Sequence, residues 1–218
     1  MIRKPEDHES AACLHLLYQS GERMFSYFLI DQAPRIHRTL DVFYSNPKTP
    51  FSKDAVLVKV EGGQVCGMIL ALPSHEMKQR EQNMIRYGFK LLRTMGIFRM
   101  IQMLLRSGLS HRMRLFQNAT EYYISNIAVS EERRNQGIGW ELLEAVEAIA
   151  RQKGYRALTL AVEFYNVGAK RLYERFGFVE VDKVVFPKRL RKFHIDGFYK
   201  MEKVLFASHS EASRDGSS

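Results

Sequence analysis

The chain has 218 residues, 45% hydrophobic and 26% charged, which suits one globular domain with its own core. Its formal net charge of +9 can attract an anionic ligand, a nucleic acid or an anionic lipid, and does not choose among them. The only two cysteines, Cys13 and Cys66, lie in apolar runs without metal-ligand spacing, so neither a disulfide framework nor a metal site is expected. No run of about 18 uncharged apolar residues is present, and the charged start from Met1 to His8 has no apolar signal region. A cytoplasmic protein is therefore expected.

In chain order, Ala12, Cys13, Leu16 and Leu17 predict a helix over 9–20, with Asp7 available as its cap. Ile36, Leu40 and Phe43 predict a second helix after Pro34. Residues 55–61 and 64–72 read as two strands joined by Glu61-Gly62-Gly63-Gln64, a strong hairpin signal. From 73 to 120 the pattern is helical in pieces, rich in Met and Arg, and interrupted at Gly88, Gly96 and Gly108. Then follow a strand at 122–129, a helix at 138–153, a strand at 157–163, a helix at 167–176, and strands at 178–186 and 198–206. Residues 207–218 have no apolar pattern and are expected to be a disordered tail. Strand–helix–strand alternation implies one parallel pairing, and the hairpin implies antiparallel pairing. The expected fold is α/β, a single domain over 1–206. A central mixed, mostly antiparallel sheet of six to seven strands is flanked by helices, with a helical insertion at about 73–120 before the fourth strand.

The chemistry concentrates in Ile124-Ser125-Asn126-Ile127-Ala128-Val129 and the loop Arg133-Arg134-Asn135-Gln136-Gly137-Ile138-Gly139 that opens the next helix. Along that helix Glu141, Glu144 and Glu147 precede Arg151 and Lys153, an order that complements its dipole, and Gly154 ends it. The free N–H groups of a helix N-terminus bind anions, and Gly137 and Gly139 carry no side chain to keep a phosphate away. The P-loop pattern is absent. A dinucleotide site is matched only in part: Gly137 and Gly139 fit, Leu142 occupies the third glycine position, and Glu163 lies roughly where a ribose-binding acid would. A coenzyme A pyrophosphate loop is the third reading.

The stretch Arg134-Asn135-Gln136-Gly137-Ile138-Gly139 resembles the Arg/Gln-x-x-Gly-x-Gly/Ala signature of the GNAT superfamily of N-acetyltransferases, with Asn126-Ile127-Ala128-Val129 as its companion strand. A second block, Asn166-Val167-Gly168-Ala169-Lys170-Arg171-Leu172-Tyr173-Glu174-Arg175-Phe176-Gly177-Phe178, is similar to the same family's pattern. The resemblance implies transfer of an acetyl group from acetyl-CoA, as cosubstrate and without a metal, directly to an amine. It implies that backbone N–H groups of Arg134, Asn135, Gln136, Gly137, Ile138 and Gly139 hold the pyrophosphate. Ile127, Ala128 and Val129 would pair with the pantetheine arm, and Asn166 would bond that arm or hold the strand ends apart. Tyr173 would protonate the leaving thiolate as general acid. A backbone N–H of Ala128 or Val129 would serve the oxyanion.

The general base has several candidates: Glu163, Glu121 and, through water, Ser125 or Tyr123. Some relatives carry a carboxylate where this chain has Ala161. Plainer roles stand beside these: Tyr173 in the core, Asn166 as an N-cap, Gly177 as a helix stop, Trp140 in helix packing. The insertion carries nine basic and two acidic side chains, a charge of +7 (9 − 2). It is read as a lid over the acceptor, an interfacial helix on an anionic membrane, or a dimer face or plain packing. With the basic stretch Lys188-Arg189-Leu190-Arg191-Lys192-Phe193-His194, in the loop that by the resemblance borders the acceptor side, it points to an acceptor bearing a carboxylate or phosphate, with simple attraction of the polyanionic CoA as the alternative. The partner expected is the amine of a small molecule or peptide. Neither nucleic acid nor a membrane surface is expected, and a homodimer is left open. A non-catalytic acyl-CoA sensor of the same fold, and a polyanion- or membrane-binding protein, are the competing classes.

Overall fold

The computed structural model describes residues 1–30, 35–106 and 119–206. Seven strands form one sheet in the order β1-β2-β3-β4-β5-β7-β6. They are β1 (Ile2–Arg3), β2 (Val56–Glu61), β3 (Gln64–Pro73), β4 (Glu121–Val129), β5 (Ala157–Glu163), β6 (Val179–Val185) and β7 (Gly197–Val204). Every neighbouring pair is antiparallel except β4 and β5, the pair joined through a helix. The mixed, mostly antiparallel sheet agrees with the expectation. The two-residue β1 is too short to leave a sequence signal.

Eight α-helices are described: α1 (Ser10–Gln19), α2 (Glu22–Leu29), α3 (Arg35–Tyr44), α4 (Ser74–Asn83), α5 (Gly88–Met95), α6 (Ile97–Arg106), α7 (Ile138–Gln152) and α8 (Val167–Phe176). The β2–β3 hairpin turns on Gly62 and Gly63, both at positive φ (56° and 77°), as a two-residue turn of that hand requires. α1 starts differently from expectation. A 3-10 turn over Asp7–Glu9 precedes it, capped reciprocally by Glu6 and Glu9, and Arg3 holds the Glu9 carboxylate at 2.7 and 2.8 Å. Asp7 instead pairs with Lys53 at 2.5 Å, so it is not the cap.

α2 was not anticipated. Only Ser20 and Gly21 separate it from α1, and Met24, Phe25 and Leu29 are buried along it. Within the insertion, the described residues form three α-helices, α4, α5 and α6. Gly88 begins α5 in ordinary helical geometry (φ −53°), while Gly96 (φ 79°) divides α5 from α6. Gly108 and the tail 207–218 lie outside the described residues.

Two cores sandwich the sheet. On one face α1, α3 and α5 bury Leu17, Ile36, Leu40, Phe43 and Leu91 against Val56, Met68 and Leu70. On the other face α7 and α8 bury Leu142, Leu143, Val146, Tyr173 and Phe176 against Ile69, Ile124, Leu158 and Leu160. Each fully buried Leu, Ile or Val contributes about 1.5–3 kcal/mol of transfer free energy. α7 lies close to β3 because a side chain is missing there: a Cβ on Gly67 would stand 2.9 Å from Ile138 and 3.1 Å from Leu142.

Candidate active site

The β4–β5 ladder stops early. It runs from Glu121 opposite Ala157 to Ile124 opposite Leu160, four rungs in all. Beyond them β4 continues to Val129 and β5 to Glu163, each still paired on its other side. A β-bulge marks the parting: β3 passes from Leu70 opposite Asn126 to Ala71 opposite Ile124, leaving Ser125 as the extra residue. The divergence exposes one edge of β4 at Asn126–Val129, where backbone groups have no strand neighbour. The Ser125 hydroxyl donates to the Asn126 side-chain oxygen (2.8 Å), and the Asn126 amide donates to Ser20 at the end of α1 (2.8 Å). This chain of bonds ties the bulge to α1.

At the end of β4 the chain enters a short 3-10 turn, Glu131–Arg133, and then a loop of alternating hand. Asn135 (φ 62°) and Gly137 (φ 83°) both take positive φ. Such alternation turns successive N–H groups toward one concavity, an anion-binding arrangement. α7 begins directly after Gly137 without a side-chain cap. Its first-turn N–H groups, on Ile138, Gly139 and Trp140, therefore lack helical acceptors. The Arg134 side chain folds back, donating from Nε to the Val129 carbonyl at 3.4 Å, and Gln136 donates to the Glu132 carbonyl at 3.1 Å.

The two loop glycines do different jobs. A Cβ at Gly137 would meet nothing within 4 Å, so its value is its positive φ and the open approach to the loop. A Cβ at Gly139 would stand 3.1 Å from Leu172 of α8. Gly139 lets α7 and α8 pack, a different reason from the phosphate approach expected for it.

Glu163 ends β5 at the open side. Burial is the largest influence on its carboxyl and pushes its pKa up, opposed by its own backbone, the Tyr165 hydroxyl and the Arg23 charge. Three phenols feel its charge. Tyr123 of β4 and Tyr165 after β5 are each pushed up to about 12, burial first and Glu163 second. Tyr173 of α8 is also pushed up, by burial and then by Glu163. Tyr173 is buried beside Phe178, their ring centroids 6.0 Å apart. The end of β5 thus carries a carboxyl of raised proton affinity, and the three phenols that feel its charge stay protonated at neutral pH, the combination that acid–base transfer uses.

The other named candidates separate. Glu121 lies at the far end of the strand, opposite Ala157, roughly 20 Å along β5 from Glu163 at the usual strand rise. It is buried, accepts from Thr159 at 3.3 Å and lies 3.9 Å from Lys200. These contacts tie Glu121 into the sheet at the start of β4, and it is set aside as a base. Asn166 caps α8, its side-chain oxygen accepting the Ala169 N–H at 3.2 Å. Gly177 (φ 97°) stops α8, and Trp140 packs edge-on against Phe176 at 4.9 Å.

Sequence reading missed Arg23. It projects from the unanticipated α2, its guanidinium carbon 3.7 Å from the Tyr165 ring centroid. Glu22, Arg23, Ser26 and Tyr27 of α2 line a cavity of about 320 Å³ with Phe193, from the 3-10 turn over Lys188–Phe193 between β6 and β7. Arg106 of α6 borders it, stacking on Tyr27 at 4.6 Å and donating to the Tyr27 carbonyl at 2.5 Å. An arginine followed by aromatics in an unrecognised helix carried no signal that could single it out.

Comparison with known proteins bears on the fold and the family. Residues 22–178 match the family described as Acetyltransferase (GNAT) family. The chain is 43% identical over 56 residues (26% of the chain, 19% of the relative) to GCN5-related N-acetyltransferase 4, chloroplastic, of Arabidopsis thaliana. It is 39% identical over 70 residues (32% and 44%) to the uncharacterized N-acetyltransferase YycN of Bacillus subtilis. The chain thus spans less than half the length of either relative. Among solved structures, an N-acetyltransferase from Staphylococcus aureus Mu50 superposes with a TM-score of 0.69 at 16% identity, covering 93% of this chain and 99% of that one. The PaiA N-acetyltransferase of Thermoplasma acidophilum, in complex with coenzyme A, superposes with a TM-score of 0.52 at 15% identity, covering 94% and 98%. At such identities the superpositions speak to fold alone, and the match over 22–178 speaks to descent: the chain belongs to the GNAT acetyltransferase family.

Proposed function

We propose that the protein is an acetyl-CoA-dependent N-acetyltransferase working by direct transfer to an amine, with the chemistry in the β4–β5 opening. The observation that carries this reading is the parting of β4 and β5 after Ile124 and Leu160, with Glu163, whose charge reaches Tyr123, Tyr165 and Tyr173, at the end of β5. The chain's own features suit the cosubstrate. The uncapped start of α7 and the open space at Gly137 suit a diphosphate. The unpaired edge of β4 at Ile127, Ala128 and Val129 suits an extended amide-bearing arm, which can bond as an added strand. A CoA complex of the Thermoplasma protein supports the assignment by analogy of fold. When bound, acetyl-CoA supplies an activated acyl thioester.

The residues then divide the proton work. Glu163, with its raised proton affinity, accepts a proton from the incoming ammonium, directly or through water held by Tyr123 or Ser125. Tyr173 keeps its proton at neutral pH and donates it to the departing sulfur. A backbone N–H at Ala128 or Val129 stabilises the oxyanion. No covalent step on the enzyme is needed. The amine enters from the cavity between α2 and Phe193, where Arg23 favours a carboxylate or phosphate elsewhere on the acceptor. Asn166 retains its cap role, which leaves its amide donor for the cofactor arm.

The test is acetyl-CoA-dependent release of free thiol across a panel of amines, with the thermal midpoint followed with and without acetyl-CoA. A midpoint raised by acetyl-CoA, with thiol release that needs both an amine and Tyr173, is expected. A raised midpoint with no turnover on any amine would favour a sensor of the same fold. No midpoint shift would remove the cosubstrate from the reading.

A further inference from the structure

Seven of the sixteen large apolar side chains exposed among the described residues fall between Ile85 and Leu105. They are Ile85, Phe89, Ile97, Phe98, Ile101, Leu104 and Leu105, with Phe98 82% and Leu105 79% exposed. Of the other nine, Val179, Val181 and Val185 lie along the edge strand β6, and the rest are single residues elsewhere. α6 explains the concentration. At about 100° per residue, Ile97, Phe98, Ile101, Leu104 and Leu105 fall in one arc of about 120°. None of the α6 residues is fully buried. Met100 and Met103, on a separate arc, pack partly on the core, and Arg106 reaches Tyr27. The helix is thus held to the protein by one side and turns an apolar side outward.

The charge of the same segment is one-signed. Between Met84 and Arg106 there are five basic residues, Arg86, Lys90, Arg93, Arg99 and Arg106, and no acid. Arg86, Lys90 and Arg93 are exposed. A self-association through this face would gather ten such cations (2 × 5) with no acid from the segment to offset them, whereas an anionic lipid surface supplies the complementary charge and an apolar layer beneath it. From composition a membrane surface stood outside the expected partners. The exposure of the α6 face reverses that order.

We propose that α6, with the basic residues of α5 and the turn before it, is a docking surface for an anionic lipid bilayer, on which the helix lies flat with Phe98 and Leu105 inserted. No helix of the described residues is long and apolar enough to cross a membrane, so docking is peripheral and reversible. The surface does not depend on the acetyl-transfer reading.

The test is flotation of the full chain with phosphatidylcholine vesicles, with and without phosphatidylglycerol, at low and moderate salt. Wild type is expected to float with the anionic vesicles, less so as salt rises, and poorly with the neutral ones. The double variant Phe98→Glu/Leu105→Glu, with its thermal midpoint checked, is expected to bind at least about tenfold more weakly. Arg86→Gln/Lys90→Gln/Arg93→Gln is expected to lose the preference for anionic vesicles. Absence of flotation by wild type overturns the proposal. So does equal flotation of the double variant. If the double variant misfolds, Phe98→Trp in a Trp140→Phe background decides: a blue-shifted emission on anionic vesicles supports insertion, and an unchanged emission overturns it. Sedimentation equilibrium closes the alternative. A wild-type dimer that the glutamates split, without flotation, assigns the face to a second copy.

Discussion

On one face of the sheet α7 and α8 cover Ile69, Ile124, Leu158 and Leu160; on the other α1, α3 and α5 cover Val56, Met68 and Leu70. The α7–α8 face is assembled from backbone geometry: a loop of alternating hand, an uncapped helix start, a glycine that lets helices touch. The opposite face is assembled from side-chain packing by short helices, and from it come Arg23, the cavity beside Phe193 and the outward-facing α6. Backbone geometry of this kind demands particular residues at fixed spacing, so it shows in the chain. Side-chain packing accepts many residues of similar volume, so it does not. In the proposed reading the first face holds the common cosubstrate and the second chooses the acceptor.

The largest effect expected is on the proton work. Tyr173→Phe should lower kcat by about 10²–10⁴-fold while leaving acetyl-CoA affinity within about twofold, measured by thiol release and by titration of the midpoint shift. An unchanged kcat would remove Tyr173 as the acid and return it to the core beside Phe178.

Glu163→Gln is expected to cost roughly 10²-fold in kcat/KM and to abolish the acid limb of the pH profile. The same substitution has an opposite effect on stability. The folded-state pKa of Glu163 is raised, so the folded state binds this proton more tightly than the unfolded chain. Its contribution to stability is present below the unfolded-state carboxylate range and is lost as pH rises through the raised value. At pH 8 the wild type therefore carries the cost of a buried charge that glutamine lacks. The variant should melt higher than wild type at pH 8, with the gain fading as pH falls toward 4. A melting gain at every pH alike would mean that packing rather than ionisation separates the two proteins.

The glycines sharpen the contrast within one loop. Gly137→Val forces a β-branched residue to positive φ, at a cost of about 1–3 kcal/mol, and should weaken acetyl-CoA binding by at least about tenfold. Gly139→Val meets Leu172 and should cost a similar 1–3 kcal/mol of stability by overpacking, with the larger share of its effect in the thermal midpoint. If both variants lose binding and stability in equal measure, the division of labour between the two glycines fails.

The smallest effect expected is Arg23→Met. The exposed guanidinium on Tyr165 contributes about 0.5–1 kcal/mol to stability. Its loss should leave the midpoint nearly unmoved while raising KM for carboxylated amines several-fold, with uncharged amines unaffected. A uniform rise in KM would deny Arg23 a role in acceptor choice.

Legibility followed the same divide. β5 and α8 lie where periodicity and caps place them, at 157–163 and 167–176, because each is bounded by a turn and packs on one apolar stripe. Glu163 could be named from its place at a strand end, but not its environment, which depends on Tyr123, Tyr165 and Tyr173 arriving from three elements. Glu121 looked equivalent because the register that sets the start of β4 beside Ala157 is not written in the sequence. α2 escaped because its eight residues follow α1 after a two-residue break, so the two apolar patterns run together. Gly67 gave no sign of its role, since the helix it admits lies more than sixty residues away.

The four rungs between Glu121–Ile124 and Ala157–Leu160 are the whole direct seam between a four-stranded leaf and a three-stranded leaf. In hydrogen-exchange terms that seam divides the amides of β4 into two populations. Those before the bulge lie between two strands and should exchange only through cooperative opening, whereas those from Asn126 to Val129 that face the gap should exchange by local fluctuation. A ligand that spans the gap would slow the second population and leave the first where it was, so that the length of the slowed stretch would measure, residue by residue, how much of the parted sheet the ligand closes.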